Sequence, residues 1–118
     1  MITLYGLKTC GTCRKALGWL AERGVEARFH DVRAAPLPAA TLAAWRAEFG
    51  DRLINRAGTT WRGLGEADRA RAESDPVGLL AAFPGLMKRP LIIAGATATL
   101  GFGPAETAAL AAALGVRP

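Results

Sequence analysis

Cys10-Gly11-Thr12-Cys13 contains both cysteines of this 118-residue chain, three positions apart. Cysteines at i and i+3 in a first helical turn can close a disulfide, and a helix N-terminus favours thiolate over thiol. The chemistry these residues point to is thiol–disulfide exchange. Cys10 is the candidate nucleophile. At a loop-to-helix junction the N–H groups of Gly11, Thr12 and Cys13 can converge on its sulfur, and Gly11 puts no side chain in the way of a substrate. Cys13 is the candidate resolving thiol, spaced to attack a mixed disulfide on Cys10. The competing reading makes Cys13 a small apolar residue on the inner helix face, with an external thiol completing the reaction. Arg14 and Lys15 add positive charge one turn in. Thr9, Gly11, Thr12 and Arg14 are therefore the candidate substrate contacts around Cys10.

Other chemistries find less support. Two cysteines and a distant His30 leave a zinc site short of four ligands. His30 reads as a structural strand residue, and Asp31 has no partner carboxylate at catalytic spacing. No Ser-His-Asp set can be assigned, and the glycine-rich stretch 95–103 matches no phosphate loop. No bound metal or cofactor is expected.

Bulk properties set the compartment and the partners. Hydrophobic residues make up 51% and charged residues 21%, the balance of an ordinary globular chain, long enough to bury a core without disulfide staples. The net charge of +5 comes mostly from arginine, since Lys8, Lys15 and Lys88 are the only lysines. It is spread along the chain, with no basic stripe of stacking aromatics, so nucleic-acid binding is not expected. A locally positive site would suit glutathione or an oxyanion. No apolar run approaches the roughly 20 residues of a membrane span. The opening Met-Ile-Thr-Leu-Tyr lacks the pattern of a signal peptide. The expectation is a cytoplasmic monomer, in which a lone cysteine pair is catalytic or sensing rather than structural.

The elements that must position Cys10 follow from periodicity. Ile2–Tyr5 reads as a strand and 13–23 as a helix, with Ala16, Leu17 and Leu20 at helical spacing and Gly24 as its stop. Residues 25–32 read as a second strand, and this β-α-β unit predicts parallel pairing. Helices are predicted over about 38–49, carrying Leu42, Trp45 and Phe49, and over 66–74. A further helix starts at Asp75-Pro76, with Asp as N-cap and Pro at N1. A short turn is expected at 52–54, and 58–61 reads as irregular. Residues 90–93 and 97–102 predict an antiparallel hairpin around Gly95, and a last helix runs from Pro104 to Leu114.

The order βαβ, helices, ββα predicts an α/β thioredoxin- or glutaredoxin-like fold with a mixed sheet. It is read as a single domain over 1–118, with a mainly helical segment inserted at 36–86. In such folds a cis-proline often opens the third strand and faces the cysteines. Arg89-Pro90 stands at that place, and the Arg89 guanidinium could grip a carboxylate or oxyanion. Trp45 and Trp61 read as packing residues and Trp19 as partly exposed. Arg52, Arg56 and Arg62 flank the segment 55–60, as an anion-binding edge or an ordinary charged loop.

Several segments together carry a family resemblance. They are Leu4-Tyr5-Gly6 leading into Cys10, Arg14-Lys15-Ala16, Gly58-Thr59-Thr60-Trp61-Arg62, Lys88-Arg89-Pro90-Leu91-Ile92 and Leu100-Gly101-Phe102. In order and spacing they resemble the arsenate reductase/Spx family, most closely its small bacterial YffB-like branch. The resemblance implies a thioredoxin-like fold with an inserted helical subdomain, a redox-active Cys10, and glutathione or glutaredoxin as reductant and partner. In the arsenate reductases three arginines hold the anion that the cysteine attacks. The position before the proline is Arg89 here. The mid-chain position aligns near Asn55, with Arg56 beside it, and the position after the last strand is Gly103. Arg56 and Pro90 thus join the candidate substrate contacts, and the substrate is a thiol or an oxyanion. The Spx branch shares the CxxC and binds RNA polymerase. A glutathione-linked thiol reductase ranks first, ahead of a glutaredoxin-coupled arsenate reductase and a redox-sensing regulator.

Overall fold

The computed structural model describes residues 2–118. Its internal contacts divide the chain into two units. One is formed by the segment ending at Asp31 together with Arg89–Pro118, the other by Val32–Lys88. The second unit is somewhat wider than the 36–86 expected.

The first unit is built on a four-stranded mixed sheet in the order β2-β1-β3-β4. Strand β1 (Ile2–Gly6) pairs in parallel with β2 (Ala27–Asp31), from Ile2 opposite Ala27 to Gly6 opposite Asp31. On its other side β1 pairs antiparallel with β3 (Leu91–Ala94), which pairs antiparallel with β4 (Thr97–Leu100). This is the thioredoxin-like α/β arrangement that the element order predicted.

Strand alternation sets the core. Side chains of β1 point to opposite faces in turn, so Ile2, Leu4 and Gly6 share the buried face. Helix α1 (Gly11–Glu22) presents Cys13, Ala16 and Leu20 at spacings of three and four, the stripe of one helical face. Ile2, Leu4, Cys13, Ala16, Leu20, Ile92, Ala94 and Leu110 form one buried cluster. Full burial of a leucine such as Leu4 contributes about 1.5–3 kcal/mol. The α1 exit is closed by Gly24, whose φ of +71 suits glycine, and Val25 N–H reaches back to the Leu20 carbonyl at 3.0 Å. Helix α6 (Pro104–Leu114) opens with Pro104, and the Glu106 carboxylate accepts the Gly103 N–H at 2.8 Å.

The second unit holds helices α2 (Ala39–Phe49), α3 (Thr59–Arg62), α4 (Glu66–Ser74) and α5 (Pro76–Ala82). Tight turns of 3-10 helix lie at Gly50–Leu53 and Pro84–Leu86. Leu42 and Trp45 are buried on α2, and the Asp75 carboxylate caps α5 by accepting the Gly78 N–H at 3.1 Å. The two ends of the unit's inner stretch are tied by backbone bonds. Asn55 N–H meets Leu86 O, and Lys88 N–H meets Leu53 O, both at 2.8 Å.

Residues 58–61, expected to be irregular, contribute to the short helix α3. Its last carbonyls are taken by a side chain from eight residues on. Arg69 Nε donates to Trp61 O at 3.3 Å and Nη2 to Arg62 O at 3.1 Å. A local sequence window contains no trace of that cap. Among the described residues no helix is long and apolar enough to cross a membrane.

Candidate active site

The site is assembled at the C-terminal end of β1 and the N-terminus of α1. After Gly6 the chain turns through Leu7, Lys8 and Thr9, and the Cys10 N–H closes the turn on Leu7 O at 3.0 Å. Cys10 takes the N-cap position of α1 with extended backbone, φ −80° and ψ 118°. Its carbonyl accepts the first helical bond, from Arg14 N–H at 3.1 Å. The geometry follows from the sequence: a strand ends on a glycine, and a helix begins on a residue whose side chain is free to receive N–H donors.

The two sulfurs differ sharply. Cys10 is half-buried and Cys13 is fully buried, at 0% exposure. Burial by itself would push the Cys10 thiol up. The Cys13 backbone N–H, the Cys13 S–H, and the Arg89 guanidinium through a hydrogen bond and its charge outweigh that, and hold Cys10 below the usual thiol value. For Cys13 burial prevails. Its thiol is pushed up to about 11, although the Leu7 backbone N–H donates to it, because it faces the charge of Cys10 and gives that sulfur its proton for bonding. The arrangement favours the thiolate at Cys10, which receives an S–H donor from Cys13.

The expected convergence of three backbone N–H groups on Cys10 is narrower than the sequence suggested. Cys13 N–H, three residues on, acts on the sulfur, since a cap side chain reaches the N–H groups of the second and third helical residues best. Arg14 and Lys15 are exposed, and the charge acting on Cys10 comes from Arg89. The rotation of α1 explains this. Arg14 lies with Leu7, Lys8, Cys13, Leu17 and Phe29 around a shallow groove of about 130 Å³. Thr9, Gly11 and Thr12 are exposed beside Cys10.

Arg89 is half-buried and Pro90 buried, and the Arg89–Pro90 peptide is cis. The Pro90 carbonyl accepts the Gly101 N–H at 2.9 Å, which joins the start of β3 to the loop before α6. Trp19 on α1 meets Phe102 of that loop edge-on, with ring centroids 5.9 Å apart. Gly103 sits at the N-cap of α6, with its N–H occupied by Glu106.

Arg56 belongs to the second unit and is engaged there. It pairs with the Asp51 carboxylate, which it holds below the usual range, and its guanidinium lies 5.1 Å from the Trp61 ring centre. Arg62 donates to Ala57 O at 2.7 Å. Arg69 covers the Trp61 ring as well, at 5.8 Å. His30 packs against Tyr5, with ring centroids 5.1 Å apart, as a strand residue. Among the described residues no group of three or more His, Cys, Asp or Glu side chains could hold a metal ion.

Sequence reasoning assigned no role to Gly6 and Leu7, which form the seat of Cys13. The Gly6 position is in phase with Ile2 and Leu4 along β1, and that alternation was the available signal.

A family model described as the ArsC family matches residues 5–110. The chain belongs to the ArsC family. An uncharacterised protein of Haemophilus influenzae is 40% identical over 108 residues, covering 90% of this chain and 95% of that protein. Among solved structures, a protein named YffB aligns with a TM-score of 0.84 and 42% identity, covering 93% of this chain and 99% of that one. A global transcriptional regulator Spx of Streptococcus pyogenes is 26% identical over 109 residues, covering 90% of this chain and 81% of the regulator. These are similarities across nearly the whole ArsC-family domain, and they span both units of the chain.

Proposed function

We propose that this ArsC-family protein is a thiol–disulfide oxidoreductase acting on glutathione-linked substrates in the cytoplasm. The observation that carries the reading is the set of donors on one sulfur: Cys13 N–H, Cys13 S–H and the Arg89 guanidinium all favour a thiolate at Cys10. In the reaction the Cys10 thiolate attacks the glutathione sulfur of a mixed disulfide. The old S–S bond breaks, a new one joins Cys10 to glutathione, and the substrate leaves as a thiolate that takes a proton from water. A second glutathione, as thiolate, then attacks the glutathione sulfur of that adduct. Oxidised glutathione leaves and Cys10 returns as thiolate. Arg89 offsets negative charge as the leaving thiolates form, and the exposed Thr9, Gly11 and Thr12 border the approach, with the buried Pro90 behind Arg89.

Cys13 is the alternative resolving group. Attack by its sulfur on Cys10 would release glutathione thiolate and leave a Cys10–Cys13 disulfide. Burial and the raised thiol value make glutathione the favoured resolver, since the attacking species must be a thiolate. The test is alkylation against pH followed by mass spectrometry, with and without glutathione. Cys10 should react first, with a midpoint below an ordinary thiol, and should take up one glutathione. A protein alkylated first at Cys13 would sink the reading.

Two other activities are carried by particular observations. Arg89 beside Cys10 would also suit an oxyanion such as arsenate, read by glutaredoxin-coupled turnover. Similarity to Spx favours a redox-sensing regulator, read by RNA polymerase capture that changes on oxidation.

A further inference from the structure

Gly6 is the last residue of β1, on the face that receives α1. Ile2, Leu4 and Gly6 follow one another along that face, and Leu20, Ala16 and Cys13 line the facing stripe of α1. The chain reverses between strand and helix, so the smallest strand residue meets Cys13 in the first turn. The sulfur of Cys13 fills the space that a Gly6 side chain would occupy: a Cβ built on Gly6 overlaps Cys13 Sγ. The same Cβ would stand 3.4 Å from Cys13 Cβ and 3.4 Å from Leu4 Cδ2, both ordinary contacts. The overlap therefore belongs to the sulfur alone. Gly6 has no positive φ, so its bareness is not needed for backbone conformation. Leu7, the next residue, donates its backbone N–H to that sulfur from the same turn.

From this we infer that Gly6 is a positioning residue for the thiol pair: its missing side chain seats Cys13 Sγ so that the S–H is delivered to Cys10. The inference rests on the reading of Cys10 as the reactive thiolate and adds the residue that sets its donor. A methyl group at position 6 must turn the Cys13 side chain or lift the first turn of α1. Turning the side chain takes the S–H off Cys10, and lifting the turn draws Cys13 Sγ from the Leu7 N–H that holds it in place.

The experiment compares the pH dependence of Cys10 alkylation in the wild type, Gly6→Ala, Cys13→Ala and the double variant Gly6→Ala/Cys13→Ala. Thermal melts of all four run alongside. Gly6→Ala should move the Cys10 midpoint upward and slow alkylation at pH 7 by roughly threefold to tenfold, the size expected for a midpoint displaced by about half a pH unit to one. In the Cys13→Ala background the same Gly6→Ala change should move the midpoint no further, because the sulfur it displaces is gone. An equal shift in both backgrounds, or no shift in a folded Gly6→Ala, overturns the inference. If Gly6→Ala fails to fold, the double variant decides: recovery of the melt on removing the sulfur supports the seat, and no recovery overturns it. A wild-type Cys10 with an ordinary midpoint would count against the functional reading itself, a result separate from any effect at position 6.

Discussion

Arg89 in the first unit and the arginines around Trp61 in the second do opposite work. In the first, Arg89 directs its guanidinium at Cys10 and lowers the thiol. In the second, Arg56, Arg62 and Arg69 are spent on structure: a carboxylate, the face of Trp61, and the carbonyls of Ala57, Trp61 and Arg62. All of these side chains carry the same charge. What separates them is the partner. A guanidinium with carbonyls and a ring to satisfy holds a fold together, and one facing a sulfur tunes chemistry. Charge density alone does not identify an active site.

The contrast has consequences that can be measured. The largest effect is at the sulfur itself. Cys10→Ser should reduce exchange with a glutathione mixed disulfide to the uncatalysed background, because a serine hydroxyl stays protonated where a thiol ionises. Retained turnover would mean that the chemistry lies elsewhere. Next is Arg89→Met, which keeps the bulk of the side chain and removes the charge. The Cys10 midpoint should rise by about one pH unit or more, the usual effect of losing a close opposite charge. Alkylation of Arg89→Met at pH 7 should slow on the order of tenfold.

Cys13→Ala should act on both activity and stability. Loss of the S–H donor raises the Cys10 midpoint as well. The stability effect has its own pH window. In the folded protein Cys13 keeps its proton up to about 11, whereas in the unfolded chain it ionises near 9.0. Over that interval the unfolded chain binds fewer protons, so stability falls as pH rises from 9.0 towards 11 and is at its full value below 9.0. Cys10, with its lowered thiol, has the opposite sign: its contribution is present above 9.0 and is lost as pH falls through its folded value. Denaturant melts of Cys13→Ala across the alkaline range should show a shallower decline than the wild type. An unchanged slope would place the buried proton elsewhere.

The smallest effect belongs to the second unit. Arg56→Ala removes an ion pair whose members are partly exposed, with side-chain exposures of 34% and 61%, and one contact with Trp61. A loss of about 1 kcal/mol or less is expected in a thermal melt, with the Cys10 midpoint unmoved. If Arg56→Ala shifted the midpoint as much as Arg89→Met, the division of labour between Arg89 and the arginines around Trp61 would fail.

Much of this was legible in the chain because the signals were local or periodic. The strand over Ile2–Tyr5, the helical spacing of Ala16, Leu17 and Leu20, and the Asp75-Pro76 helix start each lie within a few residues. Each formed the element expected. The structure places cis Arg89–Pro90 where chain order put it. The short helix α3 was missed because its cap comes from Arg69, outside any local window. Arg14 and Arg89 both read as positive groups for the substrate, and which of them acts on Cys10 depended on helix rotation and strand pairing.

The sequence by itself determined the cysteine pair and its spacing, the family and the order of elements. Residue type, spacing and hydrophobic period are properties of the chain. Only the tertiary structure decided what makes the two sulfurs unequal. That inequality comes from burial, from Arg89 lying 79 positions beyond Cys10 in the chain, and from a glycine on the facing strand. The physical reason is that a thiol value is set by every charge, donor and void around the sulfur, whatever their distance along the chain.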